Sequence, residues 1–85
     1  MNNRFIREYR DGNHVMMDNE NEELVMKFSA AIPLEDIDEV IAIVNKNNIE
    51  GRDYVKDIKE VEINVACYLW FKHNIGLSPK EKHNE

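Results

Sequence analysis

The sequence predicts a small α+β domain in which an antiparallel meander of two or three strands is followed by two α-helices packed on one of its faces. Three observations lead to this prediction: an Asp-Gly-Asn turn at residues 11–13, alternating apolar residues over 24–30, and a helical apolar repeat after Pro33. The chain of 85 residues fits one domain. We place that domain at residues 1–77 and expect a frayed polar tail at 78–85.

The first pair of strands is predicted from turn chemistry and alternation. Asp11-Gly12 is a frequent hairpin turn, because both residue types adopt positive φ angles readily. Beyond the turn, residues 14–18 and 23–30 show the pattern of an antiparallel pair joined by a polar loop. The meander therefore contains at least these two strands.

Residues 3–10, ahead of the turn, allow two interpretations. Phe5, Arg7 and Tyr9 alternate as in a third strand, whereas Phe5, Ile6 and Tyr9 also have helical spacing. Since an Asp-Gly turn so often closes a hairpin, the strand is favoured.

The first helix begins at Pro33, a residue that a helix tolerates in its first turn. Acidic residues crowd the same turn, where the helix dipole favours them. Apolar residues then recur at i, i+3, i+4 and i+7: Leu34, Ile37, Val40, Ile41 and Val44. Asn47-Asn48 is expected to end the helix in a left-handed conformation.

A second helix is predicted from Asp53 to Gly76. One face would carry Tyr54, Ile58, Val61, Val65, Tyr68 and Leu69. The rival interpretation is a strand, since apolar residues also alternate strictly over 61–71. Gly76 followed by an apolar residue is typical of a helix C-terminus, and it favours the helix.

Charge is concentrated in one part of the chain. The net charge is −6, and residues 8–40 contain ten acidic residues against two basic ones. Nucleic-acid and anionic-membrane binding rely on clustered lysine and arginine, which this chain lacks. We therefore expect no direct contact with nucleic acid or membrane, and a protein partner with a basic surface fits the charge better.

No residue pattern indicates catalysis, a metal site or a cofactor. His14, His73 and His83 have no metal-ligand spacing to one another or to Cys67, and the glycines are isolated. A single cysteine and the lack of a long apolar segment predict a cytoplasmic protein without structural disulfides.

Two surfaces are predicted to bind partners. The first is an apolar helix face, which would be open to a partner or a second copy: Ile63, Cys67, Trp70 and Phe71. The second is acidic and would fit a basic groove: Asp18, Glu20, Glu22, Glu23, Glu35, Asp36 and Glu39. In each case the plainer interpretation is ordinary core packing or ordinary solvated charge.

The sequence thus predicts a small acidic binding protein that modulates or inhibits a larger protein or nucleic-acid-handling machine. The alternative is an assembly protein that forms an obligate homo-oligomer, such as a homodimer, through the Trp70 face. Abundant asparagine and isoleucine are typical of AT-rich genes, which suggests a low-GC bacterium or one of its phages or mobile elements.

Overall fold

The computed structural model describes residues 3–52, 61–63 and 65–73, with side chains described for 3–52 and 68–73. The elements are β1 (Phe5–Arg10), β2 (Asn13–Asp18), β3 (Glu23–Phe28), α1 (Leu34–Ile49), β4 (Val61–Ile63) and α2 (Val65–His73). The four strands form one sheet in the order β1-β2-β3-β4. The predicted α+β class is confirmed, and so is the strand ahead of the Asp-Gly turn.

The β1–β2 hairpin closes as its turn residues predict. Arg10 pairs with Asn13 across a two-residue loop. Asp11 has a φ of 52° and Gly12 a φ of 86°. Two consecutive positive φ angles form a type I′ turn, whose twist matches that of the flanking strands.

A β-bulge interrupts the pairing of β2 with β3. Met16 pairs with Met26 and Met17 with Leu24, which leaves Val25 as the extra residue on β3. Val25 and Met26 both lie in the hydrophobic core. The bulge therefore contributes two consecutive core side chains, where a regular strand would contribute one.

Helix α1 covers the sheet with the predicted apolar stripe. Ile37, Val40, Ile41 and Val44 are buried, whereas Leu34 is 46% exposed. The predicted end of the helix is wrong by about one turn. The left-handed residue is Gly51 (φ 85°), and the N–H groups of Gly51 and Arg52 bond the carbonyls of Asn48 and Asn47. This is a Schellman motif.

The second helix is shorter than predicted. Val61–Ile63 form β4, which runs parallel to β3, and α2 begins only at Val65. A continuous helix is therefore wrong over residues 61–63, and a strand over 61–71 is wrong from residue 65. The predicted segments 53–60 and 74–85 lie outside the described residues. The alternation over 61–71 gave a strand as the rival interpretation, but the pairing that fixes the strand at 61–63 is with β3, more than 30 residues earlier, and local sequence does not contain it.

Candidate functional site

The acidic residues lie at two opposite ends of the molecule. Helix α1 runs antiparallel to β1, since Arg7 pairs with Asp38 while the backbone of Phe5 bonds Asn45. The loop between β2 and β3 therefore lies beside the C-terminal end of α1, and Glu35 lies at the other end. At about 1.5 Å per residue, roughly 20 Å of helix separates them. The predicted acidic surface is thus two separate regions.

Asp18 is not a surface residue, which corrects its predicted place in the acidic surface. It is the last residue of β2 and only 2% exposed. Its oxygens accept hydrogen bonds from Arg4 Nε (3.1 Å) and Nη2 (2.9 Å). They also accept from the backbone N–H groups of Glu20 and Asn21 and from the Asn21 side chain. The buried carboxylate therefore holds the β2–β3 loop in place through hydrogen bonds.

The electrostatics of Asp18 follow from these donors. The Arg4 guanidinium and the Asn21 and Glu20 donors stabilise the charged carboxylate, while burial opposes them. Together they lower the pKa of Asp18 from 3.8 to about 2. The group is ionised at neutral pH, and its charge is neutralised by Arg4.

The loop held by Asp18 exposes its three glutamates. The side chain of Glu20 is 69% exposed and lies 3.6 Å from Arg4 Nε. Glu22 and Glu23 are also exposed, and Glu22 has a φ of 57°. We name residues 19–23, which comprise the β2–β3 loop and the first residue of β3, the acidic loop. Three of the seven predicted acidic site residues come together here.

A depression of about 350 Å³ adjoins the acidic loop. Its lining combines apolar and charged side chains: Glu8, Arg10, Met17, Asp18, Asn19 and Glu22. Met17 is 6% exposed, and Arg10 Nη2 pairs with Glu8 at 2.9 Å. Three acidic residues and one basic residue thus surround an apolar side chain.

At the opposite end, two predicted site residues hold the helices together. The hydroxyl of Tyr68 on α2 lies 3.1 Å from both Asp36 and Glu39 on α1, and shares its proton between them. Lys72 Nζ lies 3.4 Å from Glu39. Of the seven acidic site residues, Glu35 is the one at this end that is exposed and takes no part in the contact between α1 and α2.

The contact between α1 and α2 shifts the pKa of both residues that α2 contributes to it, Tyr68 and Lys72. Contact with Lys72 lowers the pKa of Tyr68, but burial and the two carboxylates outweigh it, and the net change is upward. Tyr68 and Glu39 together raise the pKa of Lys72. Lys72 is thus held in its charged form, which suits a structural contact between α1 and α2.

Of the predicted apolar face, the structure describes the side chains of Trp70 and Phe71, and both are covered at least in part. Phe71 is 5% exposed and belongs to the hydrophobic core, which corrects its prediction as an outward interface residue. Trp70 is partly buried against that core and contacts Phe71 edge-on at 5.2 Å. Tyr68 and Phe71, one helical turn apart, are both buried, whereas Leu69 is 37% exposed. The buried side of α2 therefore includes one residue from each of the two faces drawn from the sequence. The side chains of Ile63 and Cys67 lie outside the described residues.

Asn45 is a positioning residue that the sequence analysis missed. Its side chain accepts a hydrogen bond from the Phe5 N–H and donates one to the Phe5 carbonyl, both at 2.9 Å. A signal existed: Asn45 follows Ile37 and Ile41 at intervals of four, so a polar residue falls on the buried stripe. A buried amide there requires hydrogen-bonding partners.

Within the described part of the chain, no helix is long and apolar enough to cross a membrane, and no group of three or more His, Cys, Asp or Glu residues is placed to hold a metal ion. No protein-family model, curated protein or solved structure matches this sequence.

Proposed function

We propose that this domain is a non-enzymatic modulator which binds a basic segment of a protein partner through the acidic loop and the adjoining depression. The observation that carries the proposal is the fastening of the loop by Asp18. Five donors converge on that carboxylate, so the loop is ordered before any partner arrives. An ordered binding loop loses less conformational entropy on association.

The charge of the loop supports a basic partner. Asp18 takes up the nearest contacts of Arg4, and Glu20 lies farther from that guanidinium, at 3.6 Å, so the exposed glutamates Glu20 and Glu22 keep most of their field. Such a field raises the rate of encounter with a cationic surface.

The depression supports a lysine or arginine side chain as the anchoring group. These side chains combine an apolar stem with a charged end. Met17 offers an apolar contact for the stem, and Glu8 and Glu22 offer carboxylates for the charged end. The Arg10 that pairs with Glu8 would favour a partner group approaching from the Glu22 side.

A tetra-arginine peptide provides a defined probe for this site. We expect the peptide to shift the amide NMR signals of Met17, Asn19 and Glu22, and to leave those around Glu35 unchanged. Glu22→Gln should weaken binding several-fold. Glu35→Gln removes the same charge at the opposite end and serves as the matched control. A tetra-glutamate peptide should produce no shifts.

Salt dependence separates steering from short-range contact. Between ~10 mM and ~150 mM salt the screening length falls from ~30 Å to ~8 Å. Association should slow steeply over that range, and neutralising Glu20, Glu22 and Glu23 together should remove most of the slowing. Binding that ignores both salt and the triple substitution, or that responds equally to Glu35→Gln, would contradict the proposal.

A further inference from the structure

Strand β1 lies at one edge of the sheet, and the Asn45 contacts identify which of its backbone groups face outward. In an antiparallel pair, alternate residues direct both N–H and C=O either toward the neighbouring strand or away from it. Phe5 directs both groups to the Asn45 side chain, hence away from β2. Consistent with this, the carbonyl of Arg4 bonds Asn19 N–H on the inner side. Arg7 and Tyr9, two and four residues further along, must therefore also face outward.

These outward groups are open. No hydrogen bond between described residues reaches the outward N–H or C=O of Arg7 or Tyr9, whereas Asn45 covers those of Phe5. The Tyr9 side chain is 66% exposed. A strand edge in this state is a ready template for another strand.

An exposed apolar side chain accompanies the open edge. Arg7 pairs with Asp38, and Leu34 precedes Asp38 by one helical turn on the same side of α1. Since α1 runs antiparallel to β1, Leu34 and Tyr9 lie at the same end of the molecule. Leu34 is 46% exposed, so both side chains have surface left to bury.

We propose that a second copy of this chain occupies the edge, with the two β1 strands antiparallel and Tyr9 opposite the partner's Tyr9. The choice of occupant rests on charge complementarity. This register sets Glu8 opposite the partner's Arg10 and brings Arg7 beside the turn that carries the partner's Asp11. Both pairs join opposite charges, and the two-fold axis doubles each of them.

The competing registers are less favourable. The backbone groups that point outward belong to odd-numbered residues, so an odd-numbered residue of one strand must lie opposite an odd-numbered residue of the other. This requires the two-fold axis to pass through a residue and not between two residues. An axis at Glu8 sets two Glu8 carboxylates opposite each other at the closer spacing of a non-hydrogen-bonded pair. An axis at Arg7 opposes two arginines and requires Phe5, which Asn45 already occupies.

The resulting dimer would have modest affinity, because two six-residue strands bury much less than the ~1,600 Å² of a standard interface. Glu8 and Arg10 also line the depression beside the acidic loop, but the acidic loop itself takes no part in the dimer contact, and self-association can be measured with no basic peptide present. This dimer also differs from the homo-oligomer predicted through the Trp70 face.

Sedimentation equilibrium of the full chain, with and without charge reversal, tests the proposal. The wild type should dimerise with increasing concentration, and Arg10→Glu should weaken the dimer at least tenfold. The double variant Glu8→Arg/Arg10→Glu restores opposite charges across the axis and within each chain, so it should dimerise like the wild type. A strictly monomeric wild type at millimolar concentration, or a double variant as weak as Arg10→Glu, would overturn the proposal.

Cross-linking tests the register independently. In a Cys67→Ser background, Tyr9→Cys should form an intermolecular disulfide on mild oxidation, because hydrogen-bonded strand pairs have Cα atoms about 5.5 Å apart. Arg7→Cys in the same background is the control, and should cross-link at least tenfold more slowly. Equal cross-linking of the two, or faster cross-linking of Arg7→Cys, would refute the Tyr9-centred register.

Discussion

Asp11 and Asp18 each begin a connection between neighbouring strands, but Asp11 acts through its backbone conformation and Asp18 through its side chain. Asp11 lies in the β1–β2 turn, exposed, with a φ of 52°. Asp18 ends β2, is buried, and holds the acidic loop through its side chain with the help of Arg4, fourteen residues away. The first connection depends on the backbone preferences of two adjacent residues. The second depends on one carboxylate and a distant cation.

Removing the Asp18 carboxylate should lower the free energy of unfolding more than any other change at the two connections. Asp18→Ala leaves the Arg4 guanidinium without its main partner and three loop donors without an acceptor. We expect the free energy of unfolding to fall by about 3 kcal/mol, as when one partner of a buried ion pair is deleted. Urea denaturation measures the change.

Asp11→Asn is the corresponding test of the other connection. Asparagine tolerates the left-handed conformation, and Asp11 is exposed, so the free energy of unfolding should change by less than about 0.5 kcal/mol. If Asp11→Asn proved as damaging as Asp18→Ala, the distinction between the two connections would not hold.

The stability that Asp18 contributes should be lost in acid. The pKa of Asp18 is lowered from 3.8 to about 2 by Arg4 and the loop donors. The folded chain therefore takes up this proton at lower pH than the unfolded chain. The resulting stability is fully present above about pH 4 and is lost as pH falls toward 2. Its size is roughly 2 kcal/mol, measured as unfolding free energy against pH.

Asp18→Asn isolates this contribution from the other carboxylates. The variant lacks the titrating group, so its stability should fall less steeply between pH 4 and 2 than that of the wild type. Identical pH profiles for the two proteins would show that Arg4 and the loop donors contribute no net stabilisation of the charged form.

The same contrast explains what the sequence could and could not predict. The hairpin turn and the apolar stripe of α1 follow from short-range patterns, and both were predicted correctly. Asp18 was assigned to the acidic surface, because nothing near it in the sequence indicates that Arg4 faces it. Likewise, local periodicity allowed both a helix and a strand over 61–71, and the bounds of β4 and the burial of Phe71 are set by contacts with segments far away in the chain.

A backbone substitution tests the first connection directly. Gly12 has a φ of 86°, and a Cβ placed there would meet no atom within 4 Å. Gly12→Ala should therefore cost about 1 kcal/mol of unfolding free energy from backbone strain alone. Gly12→Asn should cost less, since asparagine tolerates positive φ. Equal losses for alanine and asparagine would indicate a cause other than the φ angle.

The smallest expected effect lies in the acidic loop, where Glu22 holds a φ of 57° without the glycine or asparagine that suits it. Its conformation is imposed by the Asp18 contacts on the preceding residues. Glu22→Asn should relieve part of this strain and raise the free energy of unfolding by about 0.5 kcal/mol. Glu20→Asn removes the same charge from a neighbouring exposed position that does not have a positive φ, so it should bring no gain. A comparable gain at Glu20 would mean that reduced charge repulsion stabilises the loop, and that the backbone at Glu22 is not strained.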